Sequence, residues 1–163
     1  MRVRHARRLL PRSFVGHPAS RGLIAEHDLR INSGRLRAKL LIFDRPTSLR
    51  SFWKAVRGLG LGRGAVGAVN SLAYERVSFR RAKESLSMEC DPRYFCMIGL
   101  CKTHLSMEII SHEAVHAGFA YAKRRKGDAW IAAMDFDEEF IAYPAGRISA
   151  AINRFLFDEG LYQ

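Results

Sequence analysis

Cysteine is scarce in this chain. Only Cys90, Cys96 and Cys101 occur, with no Cys-x-x-Cys pair. That excludes a disulfide framework and a cysteine zinc ribbon, and it fits reduced thiols in a cytoplasmic protein. Long apolar runs are also missing. The longest, residues 95–101, includes a glycine and falls far short of the roughly 20 residues a membrane helix needs. Neither a membrane span nor a secretory signal is expected. Acid is absent from residues 1–25, which carry Arg2, Arg4, Arg7, Arg8, Arg12 and Arg21. Histidine is absent after His116.

What is present is an ordinary globular composition, 48% hydrophobic and 26% charged over 163 residues, a length that suits one domain. The net charge is +11 and unevenly spread. Residues 1–126 hold 25 basic and 9 acidic residues, whereas residues 127–163 hold 2 and 7. Arginine outnumbers lysine 21 to 6. A surface of this kind favours polyanions, nucleic acid among them. Residues 1–30 read as a flexible basic arm, with a composition that also suits an organelle transit peptide, and residues 31–163 as a single domain.

Residues 36–43 (LRAKLLIF) predict a strand closed by Asp44-Arg45-Pro46. Thr47 or Ser48 then caps a helix with Leu49, Phe52, Trp53 and Val56 on its apolar face, ending at Gly58. Gly58, Gly60, Gly62, Gly64 and Gly67 follow. Residues 62–67 match the GxGxxG dinucleotide pattern. They follow a helix rather than a strand, so the segment reads as a glycine loop. A strand is expected within 65–80, centred on 74–79, and another at 94–100, with a charged connection at 81–93.

Ser106 opens a strong helix signal. Glu108 lies in its first turn, Lys123 to Lys126 in its last, and Gly127 closes it. Ile109, Ile110, Val115, Phe119 and Tyr121 fall on several sides of this helix, which predicts burial. Inside it lies His112-Glu113-Ala114-Val115-His116, an HExxH. Histidines four apart share one helical face and can reach one zinc ion, while Glu113 is placed to act as a general base on water.

A catalytic zinc takes a third protein ligand. The metzincin pattern is absent, because Phe119 and Ala122 occupy its Gly and His positions. A second helix is expected from Asp135 onward. Within it Glu139 precedes the small residues Ala142 and Gly146, which permit a close helix approach. Glu139 is therefore the first candidate, with Glu138, His104 and Cys101 as the others.

HEAVH followed by EEFIAYPAG resembles the gluzincin type of zinc metallopeptidase, and most closely small bacterial and phage-borne zincin-like proteins of the ImmA/IrrE type. The resemblance covers residues 95–157. It implies an α+β, zincin-like minimal domain: a small, mostly antiparallel sheet packed on the HExxH helix, then a second, ligand-bearing helix. It also implies Zn2+ held by His112, His116 and Glu139, with Glu113 as base and a protein or peptide as substrate. Strand 94–100 would be the substrate-pairing edge. Tyr143, His104 and Arg147 are candidates to steady an oxyanion, and Asp137 or Glu138 to orient a ligand histidine. Pro144 departs from the pattern and predicts a kink after Glu139. The rival readings are a basic nucleic-acid-associated protein with a structural or vestigial zinc, contacting its partner through the basic front portion, and a peptide-deformylase-like hydrolase with Cys101 as third ligand.

Overall fold

The computed structural model describes residues 6–9, 20–31, 35–57, 60–71, 77–81, 84–89, 93–127 and 138–162. Among the described residues the chain is an α+β protein built on a four-stranded mixed sheet and three α-helices. The sheet contains β2 (Leu23–Ile31), β3 (Leu36–Phe43), β4 (Gly67–Ser71) and β7 (Tyr94–Cys101), in the order β2-β3-β7-β4. Helix α1 spans Pro46–Arg57, α2 spans Met107–Lys126 and α3 spans Glu139–Asp158. A smaller sheet orders β1 (Ala6–Leu9), β6 (Glu84–Glu89) and β5 (Val77–Arg81) as β1-β6-β5.

Alternation along β3 divides the core in two. Leu40 and Ile42 point to the side of Ile110, Ala114 and Ala117 of α2 and Ile148 and Ile152 of α3. Leu41 and Phe43 point to the other side, onto Leu49, Phe52 and Trp53 of α1. The sheet is therefore covered on both faces, which is why β7 is apolar nearly end to end and β3 is apolar from Leu40 onward. Each fully buried Leu, Ile or Phe contributes about 1.5–3 kcal/mol of transfer free energy.

The sheet is mixed and mostly antiparallel: β3 pairs with β7 in parallel, across the crossover that carries α1, whereas β2 with β3 and β4 with β7 pair antiparallel. Three sequence expectations change here. β7 lies inside the sheet, between β3 and β4, and the edge falls to β4. Residues 23–30, assigned to the arm, form most of β2 and pair along β3, and β1 lies within the arm as well. The connection at 81–93 also contains a strand, β6. Tyr74 lies outside the described residues.

One polar cluster bridges β2, β3 and β7. Lys39 is buried and meets Asp28 at 2.6 Å, Arg37 lies 3.5 Å from the same carboxylate, and the Tyr94 hydroxyl donates to it at 2.6 Å. Burial works to raise the Asp28 pKa, but the Lys39 and Tyr94 hydrogen bonds and the two cations outweigh it and hold the carboxyl below its ordinary value. No described helix is long and apolar enough to cross a membrane.

Candidate metal centre

Helix α2 begins and ends where its caps dictate. The Ser106 hydroxyl accepts from the Ile109 N–H at 3.2 Å, and Gly127, at φ +82°, closes the helix by donating to Lys123 O at 2.8 Å. Its buried side chains include Ile110, Glu113, Ala114, Ala117 and Tyr121. The expected all-round burial does not hold. Ser111, His112, Val115, His116 and Phe119 form an exposed stripe, with Val115 at 45% and Phe119 at 40% exposure. Both histidines are therefore exposed, and of the motif's three ionisable residues only Glu113 is buried.

The histidine rings approach edge to face, with Nε2 of His112 and Nε2 of His116 3.2 Å apart. A tetrahedral zinc with Zn–N of about 2.0–2.1 Å sets two ligand nitrogens about 3.3–3.4 Å apart. The pair fits two positions of such an ion. The same two nitrogens lie within hydrogen-bond distance, donor and acceptor being set by the tautomer.

Glu113 reaches toward β4. It is 6% exposed, and burial raises its pKa, with the nearby His112 charge acting in the opposite sense. Its side chain lies flat against Gly67, the first residue of β4. A Cβ there would fall 2.6 Å from Oε1 and 2.8 Å from Cγ of Glu113. Gly67 is thus part of the site, and sequence reasoning missed it. Its only trace was as the last glycine of the 58–67 run, with nothing to tie it to Glu113.

Glu139 is not brought to the pair. Helices α2 and α3 run antiparallel and meet at Gly118, where a Cβ would lie 2.8 Å from the Ile141 carbonyl oxygen. His116 and His112 point about 160° and 120° round the helix from Gly118. The start of α3 is also too far along: Phe140 stands beside the Tyr121 ring, 6.4 Å between centroids, and under Lys126 at 5.0 Å. Those residues lie about 7–15 Å past His116 on the helix axis. Among the described residues, no third His, Cys, Asp or Glu joins the pair around one ion. Glu138 precedes the first residue of α3 and makes no capping hydrogen bond through its side chain. Asp135 and Asp137 lie outside the described residues.

Two of the oxyanion candidates lie together on α3, and the third precedes α2. Tyr143, 52% exposed on α3, accepts a hydrogen bond from Arg147, whose guanidinium stacks 4.7 Å from its ring. His104 Nδ1 lies 2.9 Å from the Thr103 hydroxyl, which in turn meets buried Cys101 Sγ at 3.1 Å. Helix α3 continues unbroken through Pro144, which is buried within it. The 62–67 segment follows α1 and runs into β4, so it lacks the strand-to-helix setting a dinucleotide loop needs. Comparison with protein-family models, with curated proteins and with solved structures gives no match.

Proposed function

We propose that the chain is a zinc-dependent hydrolase of zincin-like type acting on peptide bonds. The observation that carries this reading is the convergence of two imidazole Nε2 atoms at 3.2 Å beside a buried glutamate on one helix. His112 and His116 would hold the ion, which would supply a Lewis acid able to polarise a carbonyl and to bring the pKa of water toward 7. Glu113 takes a proton from the attacking water and returns it to the leaving amine. Its raised pKa suits both halves of that task, because a weaker acid is a stronger base.

The sheet supports a peptide as substrate. β4 is an edge strand, and its first residue touches the base. An extended peptide can add to a free edge by backbone pairing, which would lay a scissile bond alongside Glu113.

His112 and His116 supply two of the three protein ligands expected. The resemblance names Glu139 as the third, whereas α3 packs on the far side of α2. Zinc content measured on the purified chain tests the reading. Wild type should hold one ion, and His112→Ala or His116→Ala should lose it while keeping the circular dichroism of the fold. Glu113→Gln should keep the ion and lose hydrolysis by a factor of about 100 or more. If Glu139→Ala loses zinc, the first turn of α3 swings round to the pair on metal binding. If Glu139→Ala keeps zinc, the third donor lies elsewhere, with Asp135 and Asp137 next to test. No zinc in the wild type after reconstitution would end this reading.

A further inference from the structure

The outer face of α1 and residues 60–64 of the loop that follows it take no part in the proposed hydrolysis. Leu49, Phe52 and Trp53 are buried against the sheet. The opposite side presents Thr47, Arg50, Ser51 and Lys54, four hydrogen-bond donors at i, i+3, i+4 and i+7. The Arg50 guanidinium donates to the Arg63 carbonyl at 2.6 Å and ties the glycine loop to this face. Gly60, Gly62, Arg63 and Gly64 are exposed, and a Cβ at any of the three glycines would meet open space. Among the described residues, the amides of these four donate to no backbone acceptor; in this loop only Ala65 does, to Gly62.

The electrostatics are one-sided. No Asp or Glu occurs from Arg45 to Tyr74. The nearest acid, Asp44, is held by Arg45 at 3.0 Å and by the Ser48 hydroxyl. This face offers cations and hydroxyl donors with no carboxylate among its own residues. Its one aromatic pair, Phe52 and Trp53, is buried and unable to stack on a base. Such chemistry recognises phosphate oxygens without reading bases.

We propose that α1 and the glycine loop form a binding face for the phosphodiester backbone of nucleic acid, with Arg50, Lys54 and Arg63 as its cations. This face lies across the sheet from the histidine pair, and the inference stands whether or not zinc is bound. It narrows the contact expected of the basic front portion to one folded surface.

The test is fluorescence anisotropy of the full chain with a labelled 20-base-pair DNA duplex over a range of NaCl concentrations. Lys54→Gln/Arg63→Gln spares the Arg50 tie. It should flatten the slope of log K against log salt by about 1.8, at roughly 0.9 per phosphate contact. Adding Arg50→Gln should flatten it further. Arg30→Gln/Arg125→Gln removes equal charge from exposed sites elsewhere and should leave the slope within one of wild type. A single-stranded RNA probe, at about 0.7 per phosphate, distinguishes the two sources of the same backbone. Equal loss in both double variants would overturn the proposal in favour of diffuse charge. So would absence of binding to either nucleic acid, or binding confined to vesicles of anionic lipid.

Discussion

A buried glutamate held against a glycine backbone is sensitive to a single methyl group. Alanine at position 67 would place Cβ within 2.6–2.9 Å of the Glu113 side chain. The carboxylate is the movable partner, so it should swing aside at little cost to the fold. Gly67→Ala is therefore expected to keep zinc, to lower thermal stability only modestly, and to reduce kcat about 100-fold with a smaller change in KM. Loss of zinc or gross unfolding would show a structural role instead. Asp28 makes the opposite kind of site, a carboxylate that needs its charge. Its folded pKa is depressed, so its stabilisation is fully present above the unfolded value near 4 and is lost as pH falls through the folded value. Asp28→Asn should cost on the order of 2 kcal/mol at pH 7, low for a buried pair because Asp28 keeps some access to water. The cost should shrink below about pH 4, as read by urea unfolding at both pH values. Neither contact was visible in the chain: HExxH announces itself by spacing, whereas Gly67 and Asp28 matter only through partners brought from distant strands.

At the scale of elements, local signals were enough wherever a segment carries its own punctuation. Residues 36–43, the helix opened by Ser106 and closed by Gly127, and the strand opening at Tyr94 lie where the residue pattern places them. The apolar count of α2 misled, because Val115 and Phe119 face outward and alanines and Gly118 face the core. Small residues bury little area but let helices touch, and the contact of α2 with α3 depends on that. Gly118→Ala should destabilise by about 1–3 kcal/mol, even though alanine favours a helix by about 1 kcal/mol, because the Ile141 carbonyl oxygen cannot yield without moving α3. Gly146→Ala, in the same bundle but facing open space, should stabilise by about 0.5–1 kcal/mol. Chemical denaturation of the two variants distinguishes packing from propensity.

For the whole molecule, a ligand that binds only the folded chain stabilises it by mass action. Zinc at about 100 times its dissociation constant should add about 2.7 kcal/mol to unfolding, and His112→Ala/His116→Ala should abolish the increment. A thermal-shift titration reads this directly, and it is independent of any substrate. The sequence alone determined the α+β class, the helix bearing the histidine pair and the basic balance of the chain. Each follows from spacing, capping or charge, which a short stretch carries by itself. Only the tertiary structure decided which strand is the edge, which motif residue is buried, and on which side of α2 the second helix lies. Those depend on which surfaces cover one another. β7 has the apolar pattern of a strand buried on both faces, but its interior place comes from pairing with β3 and β4 at once. Likewise the acids around Glu139 are in the chain, but Gly118 admits α3 on the flank opposite the histidines.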